Sequence, residues 1–179
     1  MSKLHGEKVY LDTLEREHCR KINEDFEYDF DNPAEPFIVG YSSENSDDWF
    51  TEIQKLQGNR HIRLGIFLPD GTVIGDIALQ DLDWKNRSCS IGYGLTKLEY
   101  RGKGYTTDAA KTILRHGFSF VGMERISSST QEFNIGSQRV LEKCGFVLEG
   151  RERKAIYFLG KNFDRLNYGL LKEEWEQNK

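Results

Sequence analysis

One short glycine-containing stretch carries the clearest chemical potential in this chain, Arg101-Gly102-Lys103-Gly104-Tyr105-Thr106. It lies between an apolar run ending near residue 95 and a pattern of helical period starting at residue 107. A glycine turn that enters a helix exposes unpaired backbone N–H groups at the positive end of the helix dipole, which suits a phosphate or diphosphate. The stretch matches neither the Walker loop nor the dinucleotide fingerprint G-x-G-x-x-G. Alone, it predicts either an anion-binding loop or an ordinary strand-to-helix turn.

Further spaced patterns follow this loop along the chain. The pattern N-x-x-[A/S]-x-x-[V/L]-L-x-K-x-G-F is filled by Asn134, Ser137, Val140, Leu141, Lys143, Gly145 and Phe146. The pattern E-G-x-x-R occupies residues 149–153, and G-x-x-x-D followed by L-L-x-x-E-W is filled by Gly160, Asp164, Leu170, Leu171, Glu174 and Trp175. Each pattern is weak alone, but their shared order and spacing form a strong signal.

With these motifs the chain resembles the GNAT acyltransferases, especially the branch of ribosomal-protein N-terminal acetyltransferases (RimJ/RimL-like). The resemblance is clear over about residues 92–175. The family's diphosphate loop reads [Q/R]-x-x-G-x-[G/A], and Thr106 stands where Gly or Ala is usual. This substitution narrows the space near the phosphates but removes no backbone donor.

The resemblance implies acetyl-CoA as cosubstrate and no metal. By it, residues 101–106 bind the diphosphate, and the main chain of Tyr93, Gly94 and Leu95 bonds the pantetheine arm and the acetyl carbonyl. Backbone N–H groups aimed in this way form an oxyanion site. Asn134 would bond the pantetheine, with simple helix N-capping as the alternative.

The resemblance also places Ser137 near the thioester sulfur, and the alternative role is a small residue at a helix packing contact. Some relatives carry a tyrosine acid seven residues after the motif asparagine, where this chain has Leu141. By this comparison Ser137 takes that role, provided that the departing thiolate needs a donor.

The general base is less well determined. Relatives with a glutamate five residues before the motif asparagine would have it at Ser129, which cannot act as a carboxylate. Asp76 and the acidic, aromatic segment around Asp29 are the candidates, and for each the alternative is a solvated surface carboxylate. An α-amino group near pKa 8 needs far less help from a base than a lysine near 10.4.

The predicted elements that position these residues form an α+β GNAT fold, with a mixed central sheet of about six or seven strands flanked by helices and a single domain over 1–179. A hairpin is predicted around the Pro69-Asp70-Gly71 turn. Strands are predicted over residues 9–14, 63–68, 73–79, 88–95, 126–130, 146–152, 155–159 and 167–171. Helices are predicted over residues 15–25, 47–56 with Ser46 as N-cap, 107–121, and from the residue after Asn134 to residue 144.

Composition excludes several classes of protein. The 179 residues, 37% hydrophobic and 30% charged, fit a globular domain. No apolar run approaches the roughly 20 residues of a membrane span, and no secretion signal is recognised, so a cytoplasmic location is expected. The three cysteines, Cys19, Cys89 and Cys144, have no disulfide or zinc spacing and are expected to be buried free thiols.

Charge adds an expectation about partners. The net charge of −4 disfavours direct nucleic-acid binding. Acidic residues prevail in the first half of the chain and basic residues in the second, which would let one half recruit a cationic amine and the other hold an anionic cofactor. No membrane partner is expected, and a homodimer is left open.

The expected function is acetyl-CoA-dependent N-acetyl transfer by direct attack of an amine, such as the N-terminal amine of a ribosomal or other basic protein. One alternative is a small-amine acetyltransferase acting on a polyamine or aminoglycoside, because fold alone does not choose the substrate. The other is an acetyl-CoA-binding module without turnover.

Overall fold

The computed structural model describes residues 3–31 and 40–178, where eight strands form one sheet. The strands are β1 (Leu4–His5), β2 (Tyr10–Asp12), β3 (His61–Phe67), β4 (Val73–Asp83), β5 (Ser88–Leu95), β6 (Arg125–Gln131), β7 (Val147–Phe158) and β8 (Lys161–Leu171). The helices are α1 (Arg16–Glu24), α2 (Ser43–Leu56), α3 (Tyr105–His116), α4 (Ile135–Lys143) and α5 (Lys172–Gln177).

The strand order is β1-β2-β3-β4-β5-β6-β8-β7. Neighbouring strands run antiparallel except β5 and β6, which run parallel. The predicted mixed sheet of an α+β fold is therefore confirmed, with eight strands in place of six or seven.

The predicted hairpin joins β3 and β4. Gly71 has a φ of +93°, and the Asp70 carboxylate accepts the amide of Thr72 at 2.9 Å, which stabilises the turn. The hairpin places the neighbouring side chains of β3 and β4 on common faces of the sheet, and one of these faces forms part of the candidate site.

Helix α2 begins earlier than predicted. Its N-cap is Ser42, whose side chain accepts the amide of Asn45 while the Asn45 side chain accepts the amide of Ser42. The N-cap assignment of Ser46 is therefore wrong. Ser46 lies inside the helix, buried, and its hydroxyl accepts a 2.7 Å hydrogen bond from Asn23.

The end of the chain also differs from the prediction. The two strands predicted over residues 146–152 and 155–159 are one strand, β7, whose pairing with β8 shifts register between Glu152 and Ile156. Lys154 lies in this irregularity with a φ of +56°, which explains the break that the sequence pattern indicated. Strand β1 and helix α5 were not predicted, because both are too short to produce a periodic pattern.

The main core lies between the sheet and helices α3 and α4. Ile77 and Leu79 of β4, Ile113 of α3 and Phe118, just after α3, are at most 1% exposed and belong to this core. The three cysteines are buried and free, as predicted. In the described ranges, no helix is both long and apolar enough to cross a membrane.

Candidate active site

The sheet opens between β5 and β6. These strands pair only over three residues, ending at Ser90 with Ser127, whereas β5 remains paired with β4 as far as Leu95. Residues 92–95 therefore present an edge that no strand of the described sheet covers. A cavity of about 1040 Å³ runs along this edge, which is ample space for a small-molecule ligand.

The loop of residues 101–106 contributes to the cavity wall at the start of α3. Gly102 and Gly104 have φ of +74° and +85°, a left-handed conformation that favours glycine. A Cβ at Gly102 would meet no atom within 4 Å, so the space above the loop is open. Because a helix leaves its first N–H groups without an intrahelical acceptor, the loop fits an anion such as the diphosphate of coenzyme A.

The segment before β2 holds this loop in place. Lys8 Nζ donates to the carbonyl of Lys103 at 2.8 Å. The Asp108 carboxylate, in the first turn of α3, accepts the amides of Glu7, Lys8 and Val9 at 3.0, 2.8 and 3.0 Å. These bonds fix the loop before any ligand arrives, which reduces the entropy lost on binding.

Asp76, on β4, lies on a sheet face that it shares with Gln80, Gly92 and Gly94. Paired residues of antiparallel strands share a face, and Asp76 is paired with Gly94. A Cβ at Gly94 would lie 4.0 Å from Asp76 Oδ1, so the absence of a side chain there leaves the carboxylate facing the β5 edge.

Asp76 is not a solvated surface carboxylate, which corrects that alternative. Its side chain is 16% exposed and forms an ion pair with Arg63 on β3. Arg63 also donates to Gln80 Oε1 at 3.3 Å. Burial raises the pKa of the Asp76 carboxyl above its ordinary value, and the neighbouring guanidinium opposes part of that rise.

Tyr93 and the start of α4 lie on the other face of β5, because successive strand residues alternate between faces. Asn134 caps α4 by accepting the amide of Ser137 at 3.1 Å, so its N-cap role is confirmed. Tyr93 Oη lies 3.2 Å from Ser137 Oγ. Leu141 is 1% exposed within the core and offers no polar atom to the cavity.

The acidic segment before α2 contacts the connection between β5 and the loop of residues 101–106. Asp29 accepts from Arg101 at 2.9 Å, and Glu27 accepts the amide of Leu98 at 2.8 Å. Asp29, a candidate base, is therefore paired with Arg101, the first residue of the loop of residues 101–106. Residues 32–39 of the predicted segment lie outside the described residues.

Most of the predicted site residues meet in this one cavity. Those in its wall are Asp76, Tyr93, Gly94, Leu95, Arg101, Gly102, Thr106, Asn134 and Ser137. Lys103, Gly104 and Tyr105 do not line the cavity, although they belong to the same loop. Lys103 is exposed and Tyr105 packs against the core.

Sequence reasoning missed Arg63 and Gln80 of the wall, whereas Phe26 belongs to the acidic, aromatic segment that it had singled out. Gln80 follows Asp76 by four residues on one strand and therefore shares its face, a signal that period-two alternation contained. Arg63 required the strand register, which the sequence alone did not specify. The hydrogen bonds formed by Lys8 and Asp108 join positions about 100 residues apart, so no local sequence pattern indicated them.

Comparison with known proteins agrees with this geometry. A family model described as an acetyltransferase (GNAT) domain matches residues 11–147. YdaF of Bacillus subtilis (strain 168), named as a ribosomal N-acetyltransferase, is 36% identical over 132 residues, which cover 74% of this chain and 69% of YdaF.

Solved structures share the fold. A ribosomal-protein-S5-alanine acetyltransferase from Vibrio fischeri has a TM-score of 0.83 at 20% identity, covering 98% of this chain and 99% of that one. A chimera of the spermidine N-acetyltransferase SpeG from Vibrio cholerae and hSSAT has a TM-score of 0.80 at 20% identity, covering 95% and 99%. At this identity the two likenesses concern architecture and do not select an acceptor.

Proposed function

This chain belongs to the GNAT family of N-acetyltransferases, and we propose that its acceptor is the N-terminal amine of a protein or peptide, such as a basic ribosomal protein. We also propose that residues 1–179 act as one catalytic domain. When bound, acetyl-CoA supplies the acetyl thioester. The residues of this chain bind acetyl-CoA, orient its thioester and accept the protons that the amine loses.

The loop of residues 101–106 is proposed to hold the diphosphate through its N–H groups, while Arg101 stays paired with Asp29 and the uncovered edge of β5 bonds the pantetheine arm. This assignment is supported by the open space above Gly102 and by the split between β5 and β6. Backbone donors along residues 93–95 are suited to an oxygen that gains negative charge, because they are fixed before reaction.

Asp76 is the proposed base. One of its oxygens contacts Arg63, and the other lies beside Gly94 at the edge of β5. There it accepts the proton that the acceptor ammonium must lose before attack. An α-amino group is deprotonated in roughly a tenth of molecules at pH 7, against roughly one in two thousand for lysine, so a modest base suffices for an N-terminal amine.

Ser137 is proposed to act at the sulfur, on the opposite side of β5 from Asp76. Its amide is fixed by Asn134, and it stands in the first turn of α4, where the helix dipole favours negative charge. The base and the sulfur-facing hydroxyl thereby lie on opposite faces of the strand whose edge is proposed to hold the thioester.

The observation that carries the choice of acceptor is the charge balance of the described cavity wall. Its two carboxylates, Asp29 and Asp76, are each paired with a guanidinium, from Arg101 and Arg63. Spermidine carries several ammonium groups and would need carboxylates in excess of cations. The wall instead adds aromatic surface, which suits a single amine followed by a peptide.

The rim outside the wall favours a basic peptide. The segment from residue 24 to residue 31 contains no basic residue and five acidic ones, of which Asp29 belongs to the wall, whereas Glu24 and Asp31 are exposed. Such a segment attracts cations that follow the first residue of a peptide, and it would attract a polyamine too, so the charge balance of the wall alone carries the choice between them.

The test is an acceptor panel with acetyl-CoA, in which release of free thiol is measured. Peptides with one N-terminal residue, followed by either lysines or glutamates, are compared with an N-terminally blocked lysine peptide, spermidine and an aminoglycoside. We expect the highest kcat/KM for the free N-terminus followed by lysines. A higher kcat/KM for spermidine or the aminoglycoside would overturn the acceptor assignment and favour a small-amine enzyme.

A further inference from the structure

The side chain of Tyr93 has no part in the chemistry described so far, although it reaches the sulfur-facing side of β5. Its hydroxyl oxygen lies 3.2 Å from Ser137 Oγ and 3.4 Å from the Ser137 carbonyl oxygen, and Oγ is the nearer of these two acceptors for the single phenolic hydrogen. Both residues belong to the cavity wall, and the tyrosine ring packs against the main core. A strand residue and a helix residue 44 positions apart thus bring two hydroxyl groups together.

The surroundings keep the phenol protonated. Burial raises the pKa of Tyr93 to about 12. The titratable groups that act on it are Cys144 and Tyr168, in addition to the hydroxyl of Ser137. Burial raises the pKa of Cys144 to about 11 and that of Tyr168 above its ordinary value, so neither carries charge near neutral pH.

We propose that Tyr93 is a positioning residue whose hydroxyl donates to Ser137 Oγ, so that the serine hydrogen is directed at the coenzyme A sulfur. The inference rests on the proposed role of Ser137. A serine hydroxyl has one hydrogen and two acceptor lone pairs, so accepting from Tyr93 leaves its own hydrogen for another partner. Hydrogen bonds in series polarise one another, which strengthens the serine as a donor to an anion.

The pair donates hydrogen bonds and transfers no proton. A thiol has an ordinary pKa of about 8.5, well below that of the buried phenol, so proton transfer from the phenol to the thiolate would be uphill. Asp76 accepts the proton that the acceptor ammonium loses before attack and passes it to solvent. The amine nitrogen then forms a bond to the acetyl carbon and gives its second proton to Asp76. The carbon–sulfur bond breaks, and the thiolate leaves stabilised by Ser137. No oxidant, reductant or further reactant is needed.

The test measures the pKa of the thiol of coenzyme A bound to the intact protein, by ultraviolet absorbance of the thiolate after subtraction of the free protein. Tyr93→Phe, Ser137→Ala and the double variant are compared, with Tyr168→Phe as a control that removes a buried hydroxyl outside the cavity wall. Affinity for desulfo-coenzyme A, which lacks the sulfur, checks that the binding site is intact in every variant.

We expect Ser137→Ala to raise the pKa of the bound thiol by about one unit and Tyr93→Phe by about half a unit, since hydrogen bonds to charged groups are the stronger class. The double variant should match Ser137→Ala, because Tyr93 acts through the serine. Tyr93→Phe should lower kcat about three- to tenfold with KM for the amine unchanged. Tyr168→Phe should leave the thiol pKa unchanged.

Two outcomes overturn the inference. If Tyr93→Phe leaves the thiol pKa and kcat at wild-type values while Ser137→Ala changes both, the phenol only packs against the serine, and the proposed role of Ser137 survives. If the two substitutions add in the double variant, the hydroxyls act independently. A neutral Ser137→Ala would instead refute the role of Ser137 given under the proposed function.

Discussion

Replacing Asp76 by asparagine removes the negative member of a buried ion pair and leaves the Arg63 guanidinium, 22% exposed, without its partner. Breaking such a pair from one side costs about 3–5 kcal/mol, because an uncompensated charge stays buried. For a chain of this length each kcal/mol lowers the melting temperature by about 2–4 °C, so we expect a decrease of roughly 6–20 °C. Calorimetry or circular dichroism measures this directly.

The same substitution tests catalysis. Loss of a general base typically lowers the rate by about 10²–10⁴-fold, and we expect kcat/KM for a peptide amine to fall within that range. The base must be deprotonated, and burial raises the pKa of Asp76, so wild-type activity should fall as the pH drops through a value above the ordinary 3.8. Asp76→Asn should lose this acidic limb.

A double variant separates stability from chemistry. Arg63→Met with Asp76→Asn removes the unpaired charge, and should recover most of the lost melting temperature but none of the lost kcat/KM. Full recovery of kcat/KM in the double variant would limit Asp76 to a structural role. A stable Asp76→Asn variant with wild-type kcat/KM would refute the reasoning in both respects.

Three further substitutions or conditions give distinct results. Gly104→Ala forces a side chain into a left-handed φ and places its Cβ 3.1 Å from the Lys8 ammonium, so calorimetry should record weaker binding of acetyl-CoA. The control is Gly58→Ala, which also has a left-handed φ, +74°, but has open space around the new Cβ, and it should leave the affinity for acetyl-CoA unchanged. Leu141→Tyr should destabilise the core by about 1–3 kcal/mol in urea without raising kcat, and a higher kcat would contradict the assignment of the sulfur donor. Burial lowers the pKa of His61 and His116, so below about pH 6.5 the unfolded chain binds more protons than the folded one, and the free energy of unfolding should decrease there. Replacing both histidines by glutamine should weaken this pH dependence of the free energy of unfolding. An unchanged pH dependence would contradict the assignment to these two histidines.

Local patterns predicted most of the sheet and its helices, because alternation and helical period are visible in single segments. The hairpin around Asp70 and Gly71 and the cap at Asn134 depend on turn and capping chemistry, which is equally local. The N-terminus of α2 was misplaced because two serines, Ser42 and Ser46, both precede helical sequence and only the first has its reciprocal partner at Asn45.

The candidate site was less accessible to sequence reasoning wherever it depends on strand register. The loop of residues 101–106 was recognised from spacing, but its support by Lys8 and Asp108 arises from contacts between distant segments. In the same way, Asp76 was found as a candidate, whereas its pairing with Arg63 and its position beside Gly94 followed only from the pairing of three strands.

The central claim is that the loop at the start of α3 binds the diphosphate of acetyl-CoA. Backbone amide resonances can be followed while the isotope-labelled protein is titrated with acetyl-CoA and, separately, with S-acetyl-pantetheine, which lacks the diphosphate. We predict that acetyl-CoA shifts the amides of residues 102–106 at saturation, and that the shorter thioester binds more weakly and leaves them in place. Saturable binding of acetyl-CoA with the amides of residues 102–106 unmoved would contradict the claim.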